Sequence, residues 1–319
     1  MRKARDHPNV LGFDIDHEPS VAETEAESLL RRDRFLVRRS EIRAIDPDRS
    51  VFTVDYPTVR PDRFDLWQLW KNTGDVASFW TYPVAGEDAV SVGGPVGVGE
   101  TVRWATDATA AQKPLWFVGQ AFESPLRDFD WRMPEPRQLR AMAYDALVHG
   151  ATGLIWFSLD SFVTRAGRVI GIAPDAQEQY SLEHPHIRNG QNLMRASSSQ
   201  IEGSRRLWQA VSRLNRELAA HREIWLSPTS RLDYDVEIRG AKTSTDPFRT
   251  HLKRTRDGLY LIGVNVDDSP VDVRIRPRFP LAALELRAGD APLSLRDGRI
   301  VGTLQGFATF VLKFEQASS

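Results

Sequence analysis

Cysteine is absent from the 319 residues. Disulfides, thiolate metal sites and a cysteine nucleophile are therefore excluded. The absence leaves the compartment open, because exported proteins without disulfides are common. No apolar run reaches the roughly 18 residues of a spanning helix, so membrane insertion is not expected. The start is basic, with Arg2, Lys3 and Arg5, but no apolar segment stands behind it. A secretory signal is not expected, and the chain as it stands reads as cytoplasmic. Charge of one sign is lacking too. With 42 Lys+Arg against 43 Asp+Glu, the formal net charge is -1. That balance supplies no field to hold a polyanion, so nucleic acid is not an expected partner. Internal repeats and low-complexity runs are missing as well. What is present is a globular composition, 41% hydrophobic and 27% charged, with tryptophans concentrated beside apolar runs.

Five short apolar runs, residues 10–15, 50–54, 75–80, 114–119 and 153–159, read as buried strands. Prolines at 19, 57 and 83 close the first three, since proline cannot donate to a ladder. Helices are expected between the strands. One runs from about residue 21 to 45, acidic early and arginine-rich late, as the helix dipole favours. A short helix or turn covers 64–70, with Trp67 and Trp70, and another helix covers 100–112. The clearest one carries Leu139, Met142, Ala143, Ala146 and Leu147 on one face and stops at Gly150. Strands alternating with helices imply parallel pairing through helical crossovers. Residues 161–192 are polar and read as a loop or lid over the mouth. A further helix covers 201–221, with Leu207, Val211, Leu214 and Leu218 as its stripe. From about residue 223 the texture changes to short alternating strands at 232–238, 259–264, 271–275 and 309–314, punctuated by turn signals such as Asp257-Gly258 and Asp297-Gly298. This second part reads as a β-sandwich.

Ligands of parallel α/β sheets and barrels bind at the carboxyl ends of the strands. The residues found there are Asp16, His17 and Glu18, then Asp55 and Tyr56, Thr81 and Tyr82, Gln120 and Glu123, and Ser158 and Asp160. Trp80, Trp116, Trp131 and Trp156 fall in or near the same ends. Carboxylates and amides bind hydroxyl groups, and ring faces pack on the apolar face of a sugar. Cleaving a glycosidic bond takes one carboxylic acid to protonate the leaving oxygen and, as a rule, a second carboxylate as nucleophile or base. Glu18 is the candidate acid, and Glu123, Asp160 and Asp55 stand as alternatives for the second. Asp16, Asp55, Tyr56, Trp80, Tyr82, Trp116, Gln120 and Trp156 are candidate substrate contacts. The pair His184 and His186 has no third ligand at a zinc spacing, so no metal is expected. Gly93, Gly94, Gly97 and Gly99 lack the lysine of a phosphate loop and read as a loop only. No cofactor is implied. The run from Asn265 to Asp268 reads as a structural turn.

The run from His7 to Pro19, with Asp14, Asp16, His17 and Glu18 ahead of the proline, resembles the fourth barrel strand of clan-A glycoside hydrolases, particularly the β-galactosidase-like members. Residues 75–83, 113–122, 139–156 and 258–265 are similar in support. The resemblance implies a fold class of α/β with a partial (β/α)8 barrel, strands four to eight, followed by a small antiparallel β-sandwich. The expected domains are residues 1–222 and 223–319. It also implies hydrolysis of O-glycosidic bonds in an oligo- or polysaccharide, with Glu18 as the acid/base. Two departures stand out. Gln120 lies near the place of the family's nucleophilic glutamate, and strands one to three have no counterpart. The second implies a further N-terminal segment or another subunit to complete the barrel, and with such a segment the resemblance allows an extracellular site. The alternative is a carbohydrate-binding or degenerate glycosidase-like protein without catalysis.

Overall fold

The structure, a computed structural model, describes residues 7–19, 24–55, 61–85, 97–109, 112–125, 130–163, 168–173, 197–240 and 246–316. In chain order the first elements are β1 (Gly12–Asp14), α1 (Glu25–Ile45), β2 (Ser50–Asp55), α2 (Pro61–Trp70), β3 (Ala77–Thr81), α3 (Val98–Ala108) and β4 (Leu115–Gln120). There follow β5 (Ser124–Pro125), β6 (Asp130–Trp131), α4 (Pro136–Val148), β7 (Gly153–Phe157), β8 (Phe162–Val163), β9 (Arg168–Val169), α5 (Ser198–Ala220) and α6 (Arg222–Trp225). Strands β1-β2-β3-β4-β7 lie side by side in that order, a curled parallel sheet that is part of a barrel. Each step of the order is joined by a helical crossover, as parallel pairing requires. The chain divides into two compact units: Met1–Thr81 with Gly99–Val118 and His149–Ile155, and Tyr82–Val98 with Gly119–Val148 and Trp156–Ser319.

In the first unit, α1 starts at Glu25, where the Thr24 hydroxyl accepts the Glu27 N–H at 3.2 Å. This cap satisfies one of the otherwise orphaned donors of the first turn. Phe35 and Ile42 are the buried apolar positions of the helix, and they pack with Val51 of β2 and Trp70 of α2. The Trp70 indole donates to Ser28 Oγ at 2.8 Å inside this contact. Asp75 ties the same elements together. Its carboxylate accepts the Val51 N–H at 2.7 Å and pairs with Arg39 at 2.5 Å and Arg43 at 2.7 Å. Burial works to raise the Asp75 pKa, but these donors outweigh it and hold the carboxyl below its ordinary value. Arg49 holds the leading segment by donating to Val10 O at 2.6 Å and His7 O at 2.9 Å. Trp116 of β4 meets Phe52 of β2 edge-on at 5.0 Å and lies over Gly153 of β7.

The second unit holds the sandwich strands β10 (Tyr234–Arg239), β11 (Phe248–Arg254), β12 (Leu259–Asn265), β13 (Val271–Pro277), β14 (Leu281–Gly289), β15 (Ser294–Arg296), β16 (Arg299–Leu304) and β17 (Thr309–Gln316). They form two antiparallel sheets, β10-β13-β16-β15 and β11-β12-β17-β14. Leu259, Leu261, Val273, Ile275, Ile300, Phe310 and Leu312 belong to one buried cluster, the inner layer of a sandwich. On β13 buried and exposed residues alternate strictly. The exposed Asp272, Arg274 and Arg276 lie opposite Arg239, Glu237 and Asp235 of β10. Strand β12 is buried at every position, because α4 lies against it. The turn from Asn265 to Asp268 is held from within. Asn265 donates to Ser269 O at 2.8 Å and Gln305 O at 3.0 Å, and buried Asp267 accepts the Ser269 hydroxyl at 2.7 Å.

A polar network joins α4, α5 and β17. Arg140 pairs with both Glu217 oxygens at 2.8 Å and donates to Thr309 Oγ1 at 2.6 Å. The Tyr144 hydroxyl donates to Glu217 Oε1 at 2.5 Å. Burial, with Glu217 beside it, pushes the Tyr144 phenol far above its ordinary value. The phenol therefore stays a donor at any ordinary pH.

Candidate functional site

Beyond β1 the chain turns through Asp16, His17 and Glu18. Glu18 has φ +50°, the left-handed region that a non-glycine residue enters at a cost. Bonds from two sides hold it there. The Glu18 N–H donates to Val54 O at 2.7 Å. Arg31 of α1 donates to His17 O at 3.1 Å and Asp16 Oδ1 at 2.8 Å. The loop is thus pinned between the end of β2 and the first turns of α1.

The Glu18 side chain remains 34% exposed. Its Oε1 accepts the Trp80 indole N–H at 2.8 Å, which orients the carboxylate against an aromatic plate. His17 Nε2 lies 3.8 Å from the same oxygen, and its Nδ1 lies 3.7 Å from Asp14 Oδ2. Those separations are ion-pair contacts rather than hydrogen bonds. The imidazole pKa is raised by Asp14 first, with Glu18 and Asp55 adding to it against the opposing effect of burial. Asp55 ends β2 and is 2% exposed. Asp16 is taken up by Arg31. Tyr56 lies outside the described residues, as do His184, His186, Gly93 and Gly94.

In the second unit Gln120 is fully buried. Its carbonyl oxygen accepts the Val84 N–H at 2.9 Å, and its amide nitrogen donates to Val84 O and Arg132 O, both at 3.0 Å. The side chain is thus a staple between two backbone segments. Tyr82 stands among rings: Phe122 at 4.9 Å, Trp131 at 5.7 Å and Phe157 at 5.9 Å. Trp156 donates to Asn215 Oδ1 of α5 at 3.3 Å. Asp160 is exposed. Glu123 exchanges both backbone hydrogen bonds with Ile170 at 2.8 and 3.0 Å. Its Oε1 accepts the Gln200 amide at 2.6 Å.

The structure therefore brings Asp16, Glu18 and Trp80 together in one unit, with His17 and Arg31 beside them. It brings Glu123 to Gln200 in the other. Arg31 was not foreseen, because nothing in the periodicity of α1 marks one arginine among several. Gln200 does carry a sequence signal. Ser197 and Gln200 have the spacing of a capping box, and the structure contains one.

No protein-family model matches the sequence, and neither does any curated protein. Solved structures do match. Amy13B of Eubacterium rectale aligns at a TM-score of 0.51 and 12% identity, covering 97% of this chain and 60% of its own. AmyP in complex with maltose aligns at 0.50 and 10%, covering 100% and 67%. A GH30 endoxylanase from Clostridium papyrosolvens aligns at 0.46 and 10%, covering 96% and 66%. The likeness is one of fold. At these identities it concerns the fold alone and selects no single family. This chain spans 60% of the Amy13B chain.

Proposed function

We propose that this chain acts on carbohydrate and hydrolyses O-glycosidic bonds, with Glu18 as the group that protonates the leaving oxygen. The observation that carries this reading is the hold on Glu18. Its backbone is kept left-handed by Val54, and its carboxylate is aimed by the Trp80 indole. A left-handed backbone held by its surroundings marks Glu18 as a functional position, and a carboxylate so placed can protonate a leaving oxygen. The likeness to carbohydrate-active folds supports the substrate class. In this reading residues 1–222 are the barrel part and 223–319 an accessory sandwich. Asp16 orients the loop through Arg31, and Asp55, Glu123 and Asp160 remain the candidates for the second carboxylate. Tyr56, Tyr82, Trp116 and Trp156 complete the proposed substrate contacts.

A second reading, carbohydrate binding without cleavage, is favoured by Gln120. An amide stands near the expected nucleophile position, and its hydrogen-bonding groups are spent on backbone. Hydrolysis of a panel of aryl glycosides by the full chain, beside Glu18→Gln, decides between the two. The expected result is turnover that falls at least about 100-fold on substitution, the scale of a lost general acid. Unchanged turnover in Glu18→Gln overturns the proton-donor role. Saccharide binding without turnover by the native chain supports the second reading.

A further inference from the structure

A cavity of about 590 Å³ in the second unit is lined by Glu123, Met133, Pro134, Ser199, Gln200 and Arg206, among others. Its size lies in the range of small-molecule sites. Its wall is divided in kind. Met133 and Pro134 give it an apolar part, while Glu123, Glu135, Ser199, Gln200 and Arg206 give it a polar part.

The polar part is pre-ordered. Gln200 Oε1 accepts the Ser197 N–H at 2.9 Å, the return arm of the capping box. That bond sends the amide NH₂ toward Glu123 Oε1, at 2.6 Å. Glu123 itself is fixed at both backbone groups by Ile170. The carboxylate is therefore held by one oxygen, and among the described residues Oε2 has no hydrogen-bond donor. Arg206 is exposed and has no carboxylate partner among the described residues. An acceptor and a five-donor fork without partners among the described residues, with a hydroxyl and an apolar lining beside them, match a ring with hydroxyl groups on its edge and C–H groups on its face. Because Gln200 and Glu123 are already locked, a ligand meets little ordering cost at those groups.

We infer that this cavity is a saccharide-binding site for one or two sugar residues, with Glu123 and Arg206 as its hydroxyl-recognising groups. The inference rests on the carbohydrate reading above for its ligand class, but not on Glu18.

Ligand-observed NMR and calorimetry on the full chain, with a panel of methyl glycosides and disaccharides, test it. The native chain is expected to bind at least one member with a Kd of about 1 mM or tighter. Glu123→Gln and Arg206→Ala are each expected to weaken that binding by about tenfold or more, the effect of losing a hydrogen bond to a charged group. Melting curves of each variant show whether it is folded, and Arg206→Ala, at an exposed position, tests the site without touching the core. Native affinity in both cavity variants overturns the site, as does no binding by the native chain at about 50 mM of any member. Loss of binding in the cavity variants, together with aryl-glycoside turnover that survives Glu18→Gln, keeps this site and removes the role of Glu18. The reverse pattern keeps Glu18 and removes this site.

Discussion

His17 has a charge state set by its neighbours. Asp14 and Glu18 flank it within 4 Å, and together they raise its pKa above the ordinary 6.5. The sign follows from linkage. A folded-state value raised above the unfolded one means that the stabilising contribution is complete below 6.5. It is lost as the pH rises through the folded value. The imidazole is more than half exposed, so solvent screens most of the effect. The expected outcome is an NMR titration of His17 with its midpoint above 6.5, falling back in Asp14→Asn. A midpoint at or below 6.5 removes the proposed coupling. At this scale the place of Glu18 just beyond a strand is legible, from the apolar run ahead of it and the proline that follows. The left-handed backbone and the Trp80 bond are not, because they depend on where β3 lies and not on the chain near residue 18. Gln120 shows the opposite problem. Its position at a strand end reads as a substrate contact, yet its amide groups are used by Val84 and Arg132, partners 36 and 12 residues away.

Elements were legible where one face alone decides them. Strands β2, β3, β4 and β7 and helices α4 and α5 follow their apolar runs to within a few residues. Helix α1 begins later than its acidic run implies, at the Thr24 cap. Four sandwich strands escaped notice for separate reasons. β11 has polar or charged residues at most positions and only two buried ones, so it lacks a period of two. β14 carries register shifts between Leu281 and Ala283 and between Leu286 and Ala288, and each irregularity resets the alternation. β15 has three residues, too few for any pattern, and β16 carries Gly302 in its middle. The absence of a side chain at Gly153 is equally an element-scale matter. A Cβ there would lie 2.5 Å from Trp116 Cδ1, so the Trp116 ring can lie over β7 only because the position is glycine. Gly153→Ala is expected to cost about 1–3 kcal/mol, as overpacking does, and Gly153→Val more. Urea unfolding measures it; a Gly153→Val protein of native stability contradicts the packing described.

On the scale of the whole molecule, five parallel strands and two antiparallel sheets were foreseen as classes, because strand-helix alternation and a change to short alternating strands are global textures. The network of Arg140, Tyr144, Glu217 and Thr309 was invisible, since its members lie up to 169 residues apart and no periodicity selects them. Glu217→Ala leaves a partly buried guanidinium and a buried phenol without their shared acceptor. It is expected to destabilise the protein by about 2–4 kcal/mol, read by chemical denaturation, while Glu217→Gln recovers part of the loss by keeping one acceptor. A Glu217→Ala protein as stable as the native one would show that the network contributes nothing. The charges paired across β10 and β13 have a consequence of their own. Sliding β13 by two residues one way sets Glu237 against Asp272, and sliding it the other way sets Arg239 against Arg274. Either misalignment keeps the oily face inward and trades three opposite-charge pairs for one like pair beside a remaining opposite one, Asp235 with Arg274 or Glu237 with Arg276. The order of signs on the water-facing side thus leans toward the native register, a preference that concentrated salt should weaken.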